Sequence, residues 1–182
     1  MRKIVAGLFI SLDGVIESPD KWSLQYFNEE LGQTIGGLMA ASDTLLLGRK
    51  TYEEFAAAFA NDTSGNPDAA MMNGFQKVVV SNTLTQADWQ NSSVLSGDLA
   101  EGVARLKQEP GANIGMSGSN TLLRSLLRLG LVDELHLLVV PLIVGSGKRL
   151  VEGEGEQLPL QLAASDRLSN GVLHLTYEPV AR

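Results

Sequence analysis

The chain alternates short apolar runs with stretches in which apolar residues recur every three or four positions. Short apolar runs bounded by polar or glycine residues are typical of buried strands, and the wider spacing is typical of amphipathic helices. On this pattern we predict strands at 4–10, 44–48, 77–81, 112–116, 135–144, 160–168 and 172–177. The predicted helices lie at 24–38, 50–60, 99–106 and 122–127.

The order of these elements predicts the fold class. Strand and helix alternate over the first part of the chain, whereas the last third is mostly strand and carries the turn signal Asn170-Gly171. An α/β fold with a mainly parallel sheet, an antiparallel C-terminal edge and helices on both faces accommodates both parts. The polar stretch 61–68 is interpreted as a surface loop, so we expect one domain over residues 1–182.

Composition and charge narrow the function classes. The 21 acidic and 14 basic residues give a formal charge of −7, which disfavours nucleic acid and membrane surfaces as partners. The N-terminal apolar run 4–10 is too short for a signal peptide or a membrane span, which makes the cytoplasm the expected location. Cysteine is absent, and His136 and His174 are far apart in sequence, so we expect no metal site.

Three predicted strands end at similar polar corners. In such sheets, ligands bind beyond the carboxyl ends of the parallel strands. Small residues, hydroxyls and free N–H groups at a helix start hold phosphate without a large positive field. Together the corners indicate an extended ligand with several phosphates, and their residues are Gly48, Arg49, Lys50 and Thr51, then Ser81, Asn82 and Thr83, then Ser117, Gly118, Ser119, Asn120 and Thr121.

A purely structural interpretation stays open for each corner. Serine, asparagine and glycine are also preferred in turns and helix caps, so Ser81 and the 117–120 loop have a structural alternative. Arg49 and Lys50 stand four residues before Glu53 and Glu54, which allows surface ion pairs on a helix. Neither a Rossmann fingerprint nor a P-loop is matched, and the 145–149 loop is either a basic rim of a pocket or a turn between strands.

Taken in order, these motifs resemble the dihydrofolate reductase-like superfamily. Within it, they are similar to proteins related to the C-terminal reductase domain of the bacterial riboflavin-pathway deaminase-reductase. The resemblance covers nearly the whole chain and implies a three-layer dihydrofolate reductase-like fold, an NADPH site and a homodimer. The motifs that carry it are Ser11 to Gly14, Leu47 to Glu53, Val80-Ser81, Ser117 to Thr121 and Pro141 to Gly147.

The resemblance also implies which residues bind NADPH. The corner that starts at Gly48 would bind its phosphates, with Arg49 and Lys50 at the adenosine 2′-phosphate or the pyrophosphate and Thr51 at a phosphate oxygen. Because arginine presents a planar fork to a phosphate monoester, Arg49 would give a preference for NADPH over NADH. The remaining implied contacts are Ser81 and Asn82 at the adenosine end, and Gly118, Ser119, Asn120 and Thr121 at the pyrophosphate.

On the substrate side the chain departs from its relatives. In folate reductases a buried acid follows a tryptophan by five residues, whereas here Trp22 is followed at that distance by Phe27. Asn28 lies within the predicted apolar stripe and is expected to face the pocket, where its amide can orient a ring but cannot supply a proton. Protonation then needs water or Asp13.

Each of these substrate-side candidates has an alternative. Asp13 binds substrate or shapes the turn with Gly14. Trp22 forms a wall of the nicotinamide pocket or fills the core. Asn28 faces the pocket or lies at a helix edge near solvent.

These observations lead to an expected function. We expect an NADPH-dependent reductase of a flat, pteridine- or pyrimidine-like heterocycle or an imine-like substrate, related to 5-amino-6-(5-phosphoribosylamino)uracil reductase. The alternatives are a dihydrofolate reductase and a non-catalytic nucleotide- or pteridine-binding homodimer. The apolar run 135–144 is either a fully buried strand or an edge that pairs with a second copy.

Overall fold

The protein is described by a computed structural model covering residues 1–152 and 157–180. In these residues the strands are β1 (Ile4–Ser11), β2 (Ser42–Gly48), β3 (Gln76–Val80), β4 (Ser92–Leu95), β5 (Asn113–Ser117), β6 (Glu134–Val140), β7 (Leu160–Arg167) and β8 (Leu173–Pro179). The helices are α1 (Glu29–Ala40), α2 (Arg49–Phe59), α3 (Pro67–Gly74), α4 (Leu99–Gln108) and α5 (Asn120–Arg128). Two 3₁₀ turns, Pro19–Lys21 and Leu24–Tyr26, precede α1.

The strands form one sheet in the order β4-β3-β2-β5-β1-β6-β8-β7. In this order, each of the first six strands, β4 through β6, is parallel to its neighbour in the sheet. β8 is antiparallel to both β6 and β7. The predicted α/β class, with its mostly parallel sheet and antiparallel C-terminal edge, is therefore confirmed. Because β6 pairs with β1 on one side and β8 on the other, the alternative that it offers a free edge to a second copy is wrong.

Alternating side chains of the strands enter two different layers. On one face of the sheet, β1 packs against α4 and α5 through Ile4, Ala6, Leu8, Val103, Leu123 and Leu126. On the other face, α2 and α3 cover β2 and β3 through Leu45, Leu47, Val79, Tyr52 and Met72. The same face continues over β6, where α1 packs through Leu31, Leu138 and Val140. The period-2 alternation along each strand thus produces three layers.

Two predicted elements have different bounds in the structure. The first helix begins at Glu29 rather than at 24, because the Asn28 side chain accepts a hydrogen bond from the Leu31 N–H and so caps the helix there. Leu24 lies in the preceding 3₁₀ turn and is 66% exposed. The long run 135–144 ends as a strand at Val140, since Pro141 has no N–H to donate to a ladder.

Two elements were not predicted. β4 is a four-residue edge strand without a buried residue, so it lacks an apolar run. α3 begins at Pro67, inside the stretch 61–68 that the sequence predicts as loop. Asn66 caps it and Pro67 occupies the first helical position, which are helix-start signals rather than loop signals.

A buried lysine joins α3 to the sheet. Lys77 on β3 is fully buried, and its Nζ donates to the carbonyl oxygens of Met72 at 3.0 Å and Asn73 at 3.4 Å, at the end of α3. The Nζ also lies 4.2 Å from the centroid of the Trp89 ring. Burial lowers the pKa of Lys77 to about 8.

This pKa predicts how stability depends on pH. An unfolded lysine titrates near pH 10.4, so between pH 8 and 10.4 the unfolded chain binds more protons, and the free energy of unfolding should rise with pH by roughly 1–3 kcal/mol. We expect Lys77→Met to remove this rise and Lys21→Met, at an exposed site, to retain it. Urea unfolding at pH 8 and pH 10 measures both. If the free energy of unfolding rose by the same amount between pH 8 and pH 10 in Lys77→Met and in the unaltered protein, the low pKa would not belong to Lys77.

Candidate functional site

Two helices differ from the others at their N-termini. The side chains of Asn28, Asn66 and Asp98 each accept a backbone N–H and cap α1, α3 and α4. The N-cap residues of α2 and α5, Gly48 and Ser119, make no side-chain capping hydrogen bond. Since the first turn of a helix has N–H groups without intrahelical partners, α2 and α5 present donors and the positive end of the helix dipole to a ligand.

The loops before α2 and α5 lie side by side because β2 and β5 are neighbours in the sheet. The Gly48 N–H donates to Ser119 Oγ at 2.8 Å, and the Ser119 N–H donates to Thr51 Oγ1 at 3.0 Å. These two hydrogen bonds hold the helix starts in one fixed arrangement. The structure therefore brings together two of the three polar corners that the sequence indicates.

The backbone before α5 adopts the left-handed conformation at two successive residues. Gly118 has φ +65° and Ser119 has φ +50°. An added Cβ at Gly118 would lie 3.1 Å from Thr51 Cγ2, so both the backbone angle and the close approach of α2 favour glycine here.

The side chains at the starts of α2 and α5 differ in their partners and in their exposure to solvent. Arg49 Nη1 lies 2.8 Å from Glu53 Oε1, which is the ion pair of the structural alternative. Lys50 and Thr121 are exposed. Asn120 is partly buried and lines the cavity described below. A 2′-phosphate would have to compete with Glu53 for Arg49.

Ser81 and Asn82 shape the loop that follows β3. Ser81 Oγ accepts the N–H groups of Thr83 at 3.2 Å and Leu84 at 3.0 Å. Asn82 Oδ1 accepts the Gly97 N–H at 2.9 Å and so joins this loop to the one after β4. Both side chains are engaged in turn geometry, and the loop lies next to the β2 corner because β3 pairs with β2. Contact of either residue with adenosine stays a prediction.

Asp13 organises the loop after β1. Its carboxylate accepts Ser11 Oγ–H at 2.7 Å and the N–H groups of Val144 at 2.9 Å and Gly145 at 2.8 Å. These bonds, led by the one from Ser11, lower the pKa of Asp13 to about 2. Asp13 is therefore ionised at neutral pH and has no proton to give, which favours its turn-shaping interpretation over a catalytic one.

The other two substrate-side candidates also have structural partners. Asn28 is the cap of α1, its Nδ2 donates to Ser169 Oγ at 3.1 Å, and it does not line the cavity. Trp22 Nε1 donates to the Glu17 carbonyl at 2.9 Å, and its ring packs among the residues of the α1 core. Neither side chain lines the cavity, because Trp22 belongs to the α1 core and Asn28 caps the helix.

A cavity of about 130 Å³ opens between α1 and the centre of the sheet. Its floor includes Gly7 on β1 and Gly115 on β5, and its α1 wall is formed by Ile35, Leu38 and Met39. Gly118 and Asn120 border it, so it adjoins the uncapped start of α5. The cavity thus lies beside the carboxyl end of β5, and its β1 residues, between Val5 and Phe9, come from the middle of that strand.

Sequence reasoning missed this cavity. Its signal was the pair Gly7 and Gly115, each inside an apolar run that otherwise predicts a filled core. It also missed that Ser119 and Thr51 bind each other's loops, because no local pattern records contacts across 68 residues.

The two histidines, far apart in sequence, are adjacent in space. His136 Nδ1 on β6 and His174 Nε2 on β8 lie 2.9 Å apart. Burial, together with His136, lowers the pKa of His174. Within residues 1–152 and 157–180, no three His, Asp or Glu side chains are placed to hold a metal ion, and no helix there has the length and apolarity to cross a membrane.

The fold and the site together define an α/β protein of the dihydrofolate reductase-like fold. Dihydrofolate reductase from Enterococcus faecalis complexed with NADP(H) matches the structure with a TM-score of 0.63 at 15% identity, over 98% of this chain and 97% of that chain. The chain belongs to the RibD C-terminal domain family, whose model matches residues 2–174. The resemblance stated from the sequence motifs is thereby confirmed.

Two further relatives span nearly the whole chain. A protein of Shewanella sp. PV-4, provisionally assigned to riboflavin biosynthesis, matches with a TM-score of 0.80 at 20% identity and full coverage of both chains. The uncharacterized protein YyaP of Bacillus subtilis strain 168 is 27% identical over 182 residues, which is 97% of this chain and 94% of that protein. The family and the fold of the chain are thus established.

Substitution of alanine at two glycines of the site should change the stability of the fold in opposite directions. At Gly7 an added Cβ meets only Leu38 Cδ1 at 3.6 Å, and the backbone is not in the left-handed region, so Gly7→Ala should stabilise the fold by about 0.5–1 kcal/mol while it narrows the cavity. Gly118→Ala should destabilise it by about 1 kcal/mol or more. Urea unfolding measures both. Destabilisation by Gly7→Ala would show that the cavity floor is already filled.

Proposed function

We propose that this protein is an NADPH-dependent reductase of a small, flat heterocyclic substrate, and hence an oxidoreductase. The observation that carries the proposal is the pair of uncapped helix N-termini, α2 and α5, held together by the hydrogen bonds among Gly48, Thr51 and Ser119. Family membership supports the same assignment.

The site fits a dinucleotide without a large positive field. The N–H groups of Gly118 and Asn120 would bind the pyrophosphate at the start of α5, while the Ser119 N–H keeps its hydrogen bond to Thr51 Oγ1. The start of α2 would bind the adenosine 2′-phosphate. Arg49 and Lys50 would supply the positive charge there, and Thr51 would donate its hydroxyl. Ser81 and Asn82, on the next corner of the sheet, are proposed to lie at the adenosine end. Local donors thus compensate for the formal charge of −7.

The cavity beside Gly118 is proposed to hold the reacting rings. When bound, NADPH supplies a hydride from its nicotinamide. Gly7 and Gly115 leave a flat floor on which a ring can lie, and Ile35 and Leu38 exclude water from above it. The chain's own contribution is therefore position and exclusion of solvent rather than acid–base chemistry.

A dihydrofolate reductase activity is less well supported. Phe27, at the position where folate reductases carry the buried acid, is 53% exposed and does not line the cavity. The non-catalytic alternative has the same fold and site, and differs only in the absence of turnover. Oxidation of NADPH with a panel of pterins and pyrimidines distinguishes it from the reductase.

We also propose a homodimer located in the cytoplasm. The β7–β8 hairpin exposes Leu160, Leu162 and Leu173, each between 38% and 51%, and β7 is a sheet edge. An apolar edge of this kind is suited to association. Light scattering after size-exclusion chromatography tests the assembly, and a monomer mass at high concentration would contradict it.

Calorimetric titration with NADPH tests the cofactor assignment. We expect saturable binding of one NADPH per chain, with weaker binding at high salt because the contacts are made to phosphates. Ser119→Ala removes the acceptor for the Gly48 N–H and should weaken binding, whereas Ser64→Ala, on an exposed loop, should not. Absence of heat with folded protein would contradict the proposal.

Arg49 should determine the preference between the two nicotinamide cofactors. Loss of a charge-assisted hydrogen bond to the 2′-phosphate is worth about 1.5–3 kcal/mol, so Arg49→Ala should weaken NADPH binding roughly tenfold or more and leave NADH binding nearly unchanged. Glu53→Gln, which removes the competing partner, should tighten NADPH binding. An equal loss of affinity for both cofactors in Arg49→Ala would exclude Arg49 from the 2′-phosphate.

A further inference from the structure

Two histidines in the antiparallel part of the sheet share a hydrogen bond. His136 on β6 and His174 on β8 lie diagonally across the ladder that joins these strands. The His136 Nδ1 and His174 Nε2 atoms are 2.9 Å apart, and the ring centroids are 5.2 Å apart with the planes at 28°, so the rings meet edge to edge. A metal ion between nitrogens that face each other, at about 2.0–2.1 Å from each, would need them roughly 4 Å apart. The contact is therefore a hydrogen bond.

Glu134 determines which imidazole donates this bond. The hydrogen bond from Lys3 Nζ, at 2.7 Å, lowers the pKa of Glu134, so its carboxylate is ionised at neutral pH and can only accept. Glu134 Oε2 lies 3.3 Å from His136 Nε2, and we assign the proton of neutral His136 to this nitrogen. His136 Nδ1 is then the acceptor, and His174 Nε2–H donates to it.

The contact tolerates one added proton but not two. With one added proton, a single imidazolium donates to a neutral ring and the hydrogen bond is kept. With two, both rings are donors, so two N–H groups of like charge face each other. Burial, followed by the neighbouring His136, lowers the pKa of His174, in agreement with this resistance to a second proton.

The charged groups around the pair compensate for a second proton only weakly. On β6, Glu134 already forms an ion pair with Lys3, to which the exposed Glu178 of β8 also contributes. On β7, Asp166 lies opposite the histidine of β8, but it is exposed and screened by solvent. α1 packs on the same face and carries charged residues only in its first turn.

The pair lies where the β7–β8 hairpin is attached. The hairpin joins the rest of the sheet through the β6–β8 ladder, which has five residue pairs and includes both histidines. β7 is exposed at all eight of its residues, so it adds little buried surface. The turn at 169–170 is held separately against the start of α1. Separation of β8 from β6 removes the contact and lets each imidazole bind a proton in water.

We infer that the His136–His174 pair is a proton-sensitive clasp, which closes the β7–β8 hairpin onto β6 at neutral pH and releases it in mild acid. An unfolded histidine titrates at about pH 6.5, so below this pH the open hairpin binds more protons than the closed one, and opening increases as the pH falls. Release exposes the N–H and C=O groups of β6, an edge that can pair with another strand. The inference is independent of the proposed reductase function.

A titration followed by proton NMR tests the shared proton. The chain has two histidines, so their Cε1–H signals report on this pair alone. We expect the two signals to titrate in separate steps, because the first proton is shared and the second is resisted. His174→Gln identifies the signal of His136, and its amide can still donate to His136 Nδ1. Two signals that follow one common ionisation at about pH 6.5 would overturn the inference.

Hydrogen exchange measured by mass spectrometry, corrected for the intrinsic effect of pH, tests the release. Between pH 7.5 and 5.5 we expect the protection of amides in β7 and β8 to fall about threefold or more. At pH 5.5 it should be lower than the protection of β2 and β5, because the opening is local. In His174→Gln, which has a single titrating ring, the fall should be less than about 1.5-fold.

Two substitutions on the exposed surface of the hairpin provide a matched comparison. Asp166→Asn and Glu178→Gln each remove one carboxylate and leave both imidazoles in place. Asp166 favours the protonated form of His174 in the closed state, so Asp166→Asn should enlarge the fall in protection by about 1.5-fold or more. Glu178→Gln, which removes a charge near Lys3, should leave the fall unchanged.

Three results would overturn the inference. The first is the same fall in protection in His174→Gln and in the unaltered protein. The second is equal protection of β8 and β2 at pH 5.5, which would show global unfolding instead of release of the hairpin. The third is an equal effect of Asp166→Asn and Glu178→Gln. Circular dichroism establishes that the variants are folded, and if His174→Gln is not, the two surface variants and the NMR titration of the unaltered protein decide.

Discussion

The site depends on the contact between two helix starts. β2 and β5 are adjacent parallel strands, and each runs directly into a helix, so their corners meet at the carboxyl edge of the sheet. Ser119 accepts the Gly48 N–H and donates its own N–H to Thr51. Because these bonds use the hydroxyls to join the loops rather than to cap the helices, the first-turn N–H groups remain directed outward. The proposed binding of a diphosphate by this acidic protein would use these backbone dipoles.

The cavity follows from the same arrangement. Gly118 permits the left-handed turn into α5, and Gly7 and Gly115 remove side chains from the adjacent strands. The space lies next to the start of α5 and is lined by apolar residues of α1. Backbone donors and an apolar cavity are therefore adjacent but separate, an arrangement that would suit the proposed dinucleotide, with its diphosphate at the donors and a flat ring in the cavity.

Local sequence patterns predicted the parts of the fold that local forces determine. The buried strands, the parallel arrangement and the two polar corners at Gly48 and Gly118 follow from apolar runs and turn residues. β4 and α3 were missed because a short edge strand has no apolar run and because the Asn66-Pro67 start was interpreted as loop. The apolar spacing that starts at Leu24 predicts Asn28 on a helix face, yet Asn28 caps the helix because residues 24–26 form a 3₁₀ turn before it. The cavity arises from glycines on separate strands and has no local signature.

A crystal structure of the protein with bound NADPH tests the central claim most directly. The account predicts pyrophosphate oxygens at about 3 Å from the N–H groups of Gly118, Asn120 and Thr121, with the adenosine 2′-phosphate at the start of α2 beside Arg49 and the nicotinamide over Gly7. Phosphates located away from both α2 and α5, in a well-occupied complex, would contradict it.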